Sequence, residues 1–257
     1  PQSMQLPSPP PKKMMEAPPV SLLAHTSASY IDTVAERLGR GHVLARALYA
    51  DFWTDGVLGA RCTQLAGAPE LALRLLAASD GSASLRFARS APAPPAAGET
   101  EKYALVAHDG LEVEMVAMPA PGAADVWSLC VSSQVGCAQG CAFCETGRMG
   151  LLRNLSAAEI VSQLYLARFA LGLRVANVVF MGMGEPLDNL DAVITAVQVM
   201  TDALGAKLPM SSVTISTSGD ARLVPPLMQA LPRVRMAFSL HAADDATRSR
   251  LMPINRC

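Results

Sequence analysis

The sequence predicts an α/β protein in which about four βα units form a parallel sheet, preceded by a small helical domain and a β-hairpin. Three observations carry that prediction. Between Tyr30 and about Ala78 apolar residues recur at helical spacing, first Ile31, Val34 and Leu38, then Val43, Leu44, Leu48 and Phe52. Tyr103–His108 and Leu111–Met118 alternate around Asp109-Gly110, a dipeptide that tolerates the positive φ a tight hairpin turn requires. After Trp127 short apolar runs alternate with helical patterns, the rhythm of parallel strands joined by crossover helices.

In chain order, residues 1–28 contain Pro7-Ser8-Pro9-Pro10-Pro11 and no periodicity, which predicts a disordered tail. A helical accessory domain follows over 29–88, and a linker with Pro92, Pro94, Pro95 and Gly98 leads to a hairpin adapter within 89–126. Residues 127–257 hold the βα units. Ser128–Ser132 reads as their first strand. Ser156-Ala-Ala-Glu159 is a capping box that opens a helix through Ile160, Leu164, Ala167 and Leu171. Val175–Met181 is a largely apolar run, of the kind a strand buried on both faces needs. A helix over Leu190–Leu204, a strand at Val213–Ser216, a short helix at Leu223–Leu231 and a strand at Arg233–Leu240 complete the pattern, the last with an unpaired edge.

Composition narrows the function. With 51% hydrophobic and 17% charged residues in 257, the chain can bury a sizeable core. A net charge of −1 gives no global attraction to nucleic acid, so any RNA contact is local; Arg148, Arg153, Arg168, Arg174, Arg233, Arg235, Arg248 and Arg250 are the candidates. No apolar run reaches the ~18 residues that cross a bilayer, and the six cysteines lack the spacing of a disulfide scaffold. Clustered thiols without a secretion signal predict a metal centre in the reducing cytoplasm.

That cluster is Cys137-Ala-Gln-Gly-Cys141-Ala-Phe-Cys144. Three thiols this close can wrap one metal centre and leave a coordination position open, whereas structural zinc and iron–sulfur sites normally take four protein ligands. A zinc site completed from elsewhere and buried, inert thiols are the alternatives. All the other strands also end in polar groups: Gly182-Met183-Gly184-Glu185-Pro186, Ser216-Thr217-Ser218-Gly219 and Ser239-Leu240-His241. In a parallel barrel the C-terminal strand ends share one rim, so these groups would surround the cysteine loop. Glu185 can accept a hydrogen bond from an ammonium, and the hydroxyls can hold a carboxylate or ribose.

These motifs, with Leu129–Cys137, Arg153-Asn154-Leu155 and Pro253-Ile254-Asn255, resemble the radical S-adenosylmethionine (SAM) adenine-C2 methyltransferases of 23S rRNA and tRNA, relatives of the C8 methyltransferases of antibiotic resistance. The resemblance implies a partial (β/α) barrel. It implies a [4Fe–4S] cluster on Cys137, Cys141 and Cys144, with SAM on the remaining iron and in a pocket of Gly184, Glu185, Ser216, Ser239, Leu240 and His241. It also implies that Glu114 accepts a proton from the substrate and that Cys130 resolves a protein–RNA intermediate. Expected partners are 23S rRNA, tRNA and an electron donor such as flavodoxin or ferredoxin, with the protein acting as a monomer. The family carries a second, methylated cysteine near its C-terminus, which residues 1–257 lack; Cys257 belongs to an earlier part of the pattern. A truncated barrel is therefore expected, and a non-catalytic cluster- or RNA-binding remnant, or a radical-SAM enzyme with another substrate, is the rival reading.

Overall fold

Helical periodicity at the start of the chain becomes three helices, α1 (Ser27–Leu38), α2 (His42–Asp55) and α3 (Pro69–Ala77). The computed structural model describes residues 17–59, 68–89, 92–120 and 122–256. Thr26 caps α1 by accepting the Ser29 N–H, and Gly39 ends it in the left-handed conformation. The stripe Tyr30, Val34 and Leu38 is buried against α2, where Tyr49 lies 5.5 Å from Tyr30, ring to ring. Two short strands, β1 (Val20–Ser21) and β2 (Ser79–Asp80), pair in parallel and are locked by a 2.6 Å hydrogen bond between the hydroxyls of Tyr30 and Ser79. β1 and the start of α1 fall within the tail expected over 1–28. That expectation is corrected for 20–28, because Val20, Leu22 and Leu23 are buried under α1. The expected tail over 1–16 lies outside the described residues.

The main sheet has seven strands: β3 (Leu85–Phe87), β4 (Glu101–Ala107), β5 (Glu112–Ala120), β6 (Ala123–Cys130), β9 (Arg174–Phe180), β10 (Val213–Thr217) and β11 (Arg235–Phe238). Their order is β11-β10-β9-β6-β5-β4-β3, antiparallel from β3 to β6 and parallel from β6 to β11. A separate pair, β7 (Gln134–Gly136) and β8 (Leu151–Asn154), brackets the cysteine loop. The hairpin expected as an adapter is thus the antiparallel half of one continuous sheet. The reason is phase: Val113, Met115 and Ala117 of β5 alternate in step with Trp127 and Leu129 of β6, so both strands bury the same face. The first parallel strand begins at Ala123 rather than Ser128 because a tight reversal from Ala120 starts its pairing there. β11 pairs only with β10 among the described residues, so it is the edge.

Four helices follow the parallel strands or the cysteine loop: α5 (Ala157–Tyr165), α6 (Leu190–Met200), α7 (Val224–Ala230) and α8 (Asp245–Leu251); a short α4 (Glu145–Met149) lies inside the cysteine loop. The capping box of Ser156 and Glu159 is formed, and α5 runs on through a π-turn at Leu166–Ala170. α6 stops short of the expected Leu204, since Asp202 takes the N–H groups of Leu204 and Gly205 into a turn. Ile160, Leu164, Val193, Val197 and Leu227 cover one sheet face, packed on Val178, Phe180, Val213 and Ile215. The other face carries Glu114, Val116, Met118, Ser128, Cys130, Asn177, Val179, Thr214 and Ser216; of these only Cys130 is buried.

The helical layer is fastened to this sheet through aromatic contacts and one cap. Phe52 stacks on Tyr165 at 5.5 Å, the Tyr165 hydroxyl donates to Gly56 O, and Asp202 accepts the Ser27 N–H at 2.8 Å. Phe52 is fully buried. Phe52→Ala should therefore lower stability by about 3–5 kcal/mol, read from urea unfolding; a loss below ~1 kcal/mol would show that the helical layer does not share the core.

Candidate active site

The chain leaves β6 as a buried polar run, Ser132-Ser133-Gln134, and that run sets where the cysteine loop starts. Gln163 of α5 holds Ser132 on both sides, accepting its N–H at 2.8 Å and donating to its carbonyl at 2.9 Å. Ser132 Oγ donates to Glu114 O and accepts the Met183 N–H, tying β5 to the loop after β9. Gln134 accepts the Glu185 N–H at 2.8 Å and donates to Asn154 Oδ1 at 2.7 Å. Gly136 follows at φ 77°, and a Cβ there would lie 1.8 Å from Gly150 O, so β7 and β8 can approach only across glycine. Cys137 N–H donates to Gly150 O and Ala142 N–H to Leu251 O, which closes the loop against β8 and α8.

Cys137, Cys141 and Cys144 line one cavity of about 350 Å³ with Gly182, Gly184, Glu185, Ser216, Thr217, Ser218, Ser239 and His241. Among the described residues no three His, Cys, Asp or Glu side chains converge on a position for a single metal ion. Burial pushes the Cys137 thiol up to about 11 and raises that of Cys141 as well. Glu185 is buried and lines the cavity, and its two oxygens accept the N–H groups of Leu187 at 3.0 Å and Ser218 at 2.8 Å, which leaves each oxygen with further acceptor capacity. His241 sits at the mouth in the left-handed backbone region, φ 56°, with its ring 4.5 Å from that of Phe143, the aromatic ahead of Cys144. Arg248 of α8 ties the far rim together by donating to Ser218 O at 2.7 Å, Leu240 O, Ser239 O and Asn255 Oδ1.

The donor set suits an iron–sulfur cluster with an organic ligand. Three thiols face a cavity larger than an ion, glycines leave its floor open, and the buried hydroxyl of Ser218 has no protein partner. Residues 131–256 match the family model described as the Radical SAM superfamily. The fold also matches the crystal structure of a radical SAM methyltransferase from Sphaerobacter thermophilus, with a TM-score of 0.76 and 34% identity, over 93% of this chain and 68% of that one. The chain belongs to the radical SAM methyltransferase family. It is 41% identical to the "Probable dual-specificity RNA methyltransferase RlmN 1" of Protochlamydia amoebophila over 94% of its own length and 66% of that protein's. It is 50% identical to the "Dual-specificity RNA methyltransferase RlmN" of Pelobacter propionicus over 61% of its length and 44% of that protein's. It thus spans between about half and two thirds of the length of these curated relatives.

Within this radical SAM frame the candidate residues divide into two groups. Cys137, Cys141, Cys144, Gly184, Glu185, Ser216, Ser239 and His241 share the cavity. Leu240 does not line it; its side chain is exposed, and its carbonyl accepts from Arg248 and from the Ala242 N–H. Glu114 and Cys130 also lie outside the lining, on the partly exposed sheet face. There Cys130 is directly opposite Val116, so Glu114 is its diagonal neighbour, at about 7–8 Å for such pairs. Glu114 pairs with Lys102 at 2.7 Å and borders a second cavity of about 670 Å³ under Pro92–Ala96. Burial raises the Cys130 thiol.

Three of the arginines weighed as RNA contacts have other work. Arg248 holds the rim, Arg168 is spent on Ala206 O and Val175 O, and Arg153 forms a bidentate pair with Glu159 at 2.8 and 2.9 Å while reaching Asp109 at 2.6 Å. Arg148, Arg174, Arg233, Arg235 and Arg250 remain on the surface. Sequence reasoning treated Arg248 as a candidate RNA contact and passed over Gln134, Gln163 and Ser132 as site residues. Its position within Asp244–Asn255 offers no local hint, since its acceptors come from loops up to 30 residues away.

Two predictions follow from this geometry. Gly136→Ala must push β7 away from β8, so iron bound after anaerobic reconstitution should fall toward that of Cys141→Ala while the circular dichroism of the sheet is kept; full iron content would refute the close-approach argument. The second concerns acid. Arg153 holds the Asp109 carboxyl at about 2, and it lowers Glu159 against the opposing effect of burial. A carboxyl depressed in the folded state stabilises above its unfolded value, ~3.9 for Asp, and that stability is lost as pH falls toward about 2. Urea unfolding from neutral pH to pH ~2 should therefore fall more steeply for the unsubstituted chain than for Arg153→Met, with the two converging in acid.

Proposed function

We propose that this chain is the cluster- and SAM-binding part of a methyltransferase that modifies an adenine ring carbon, C2, in 23S rRNA and tRNA. The observation that carries this reading is the meeting of three thiols with Glu185 and the Ser216–Ser218 hydroxyls in one cavity at the ends of parallel strands. Cys137, Cys141 and Cys144 would hold the [4Fe–4S] cluster, and Gly184, Glu185, Ser216, Ser239, Leu240 and His241 would hold SAM, Leu240 through its backbone. When bound, these groups supply the radical chemistry needed at an sp² carbon that polar SAM methylation does not reach.

The chain's own residues then bind, orient and move protons. Glu185 presents carboxylate oxygens to the ammonium of the cofactor's methionyl end, and the glycines at 182 and 184 let backbone approach it. Cys130 and Glu114, on the sheet face that continues from the cavity, are assigned to release of the RNA adduct and to accepting the proton from the adenine carbon. For Glu114 to act it must exchange its exposed Lys102 partner for substrate, a small cost for a surface ion pair. The names of the relatives, which are dual-specificity RNA methyltransferases, support RNA as the substrate class. We assign the protein to the cytoplasm as a monomer served by a flavodoxin or ferredoxin; no helix among the described residues is long and apolar enough to cross a membrane.

The test is mass spectrometry of 23S rRNA incubated with SAM, a reductant and the reconstituted protein, alone and joined to the C-terminal third of a relative. The joined form should yield 2-methyladenosine, lost in Cys141→Ala and in Glu114→Ala, with iron content lost only in the first. No methylated adenine in either form, or 8-methyladenosine in place of the C2 product, would overturn the reading.

A further inference from the structure

The buried hydroxyls among the described residues have protein partners, with one exception. Ser79 Oγ donates to Leu75 O, Ser132 Oγ to Glu114 O, Ser133 Oγ to Met183 O and Ser162 Oγ to Ala158 O, while Thr217 Oγ1 accepts the Gly219 N–H. Ser218 is 6% exposed, and its Oγ has no partner. A buried hydroxyl without a hydrogen bond carries an uncompensated desolvation penalty, and native structures keep such groups mainly where something else completes them. Ser218 lines the cavity of the three cysteines.

The backbone of Ser218 is held from both sides. Its N–H donates to Glu185 Oε2 at 2.8 Å, and its carbonyl accepts from Arg248 at 2.7 Å. The same guanidinium reaches Ser239 O at 3.3 Å and Leu240 O at 3.2 Å, so the ends of β10 and β11 are pinned to one planar group. Fixing the backbone leaves a single torsion by which the hydroxyl can turn to a ligand, and little ordering entropy remains to be lost on binding. Ser218 thus combines a preorganised position, a buried unsatisfied donor and a place in the cavity wall.

We propose that the Ser218 hydroxyl is a direct hydrogen-bonding contact to SAM, presented by the Glu185 and Arg248 anchors on its backbone. The inference rests on the SAM-binding reading of the cavity and adds a residue to it. Arg248 is a positioning residue in this scheme, because it touches the rim and not the ligand.

The experiment uses anaerobically reconstituted protein and four chains: unsubstituted, Ser218→Ala, Ser218→Thr and Ser218→Val. SAM affinity is measured by equilibrium dialysis, and melting temperature with and without SAM. Ser218→Ala should bind SAM about tenfold more weakly, the loss expected for one hydrogen bond, with iron content unchanged. Without SAM it should melt at or above the temperature of the unsubstituted chain, because the substitution removes an unpaired buried group; the rise in melting temperature that SAM produces should shrink. Thr and Val share one shape and differ by the hydroxyl, so Ser218→Thr should bind more tightly than Ser218→Val even if both crowd the loop. Equal affinity for Thr and Val, or undiminished binding by Ser218→Ala, would overturn the assignment. If the unsubstituted chain takes up no SAM at all, the cofactor reading of the cavity falls and takes this inference with it, a result distinct from a failure confined to Ser218.

Discussion

The buried polar run Ser132-Ser133-Gln134 is the constraint on which the rest of the site depends. It leaves a central strand at the place where apolar packing ends, and each polar group there must find a partner or be paid for in desolvation. The partners come from β5, α5, β8 and the loop after β9: Glu114 O, Gln163, Asn154, Met183 and Glu185. A single satisfied network therefore aligns the cysteine loop, the Gly-Met-Gly-Glu loop and the crossover helix at once. Networks of this kind are costly when partly satisfied, which gives them one arrangement rather than several.

The two faces of the sheet divide labour. One is sealed by α5, α6 and α7 with Leu, Ile, Val and Phe, burial worth about 1.5–3 kcal/mol for each large side chain. It fixes the strand positions, and with them the strand ends that line the cavity of the three cysteines. The other face is polar and partly exposed, carrying Glu114, Ser128, Cys130, Asn177 and Ser216. The proposed proton and adduct chemistry falls on that second face, which is partly open to solvent, and the sealed face supplies the rigidity. Arg248 extends the same logic to the rim, where backbone carbonyls at two strand ends would otherwise lack donors.

Much of this was legible in the sequence, for reasons that are local. Helical period, strand alternation, Asp109-Gly110 and the Ser156/Glu159 capping box depend on residues a few positions apart, and each became the element expected of it. The cysteine spacing and the polar groups at strand ends were also local signals, and they gathered in one cavity because strands paired in parallel present their C-terminal ends on one side. The extent of β6 and the unity of the sheet were less legible. Both follow from a register between β5 and β6 that no short window contains.

The sequence by itself determined the element types, the candidate ligands and the side of the sheet on which they collect. Only the tertiary structure decided which side chains have their hydrogen bonds filled. Arg153, Arg168 and Arg248 look alike as residues, yet one is locked into Glu159 and Asp109, one is buried on carbonyls and one clamps the rim. Ser216, Thr217 and Ser218 form a uniform run of hydroxyls, yet Ser218 alone among the buried ones is left without a partner. The physical reason is that hydrogen-bond satisfaction is a property of the surroundings in space, set by groups 30 or more residues away such as Glu185 and Arg248. A residue's type states what it can bond, and only the fold states what is left for it to bond.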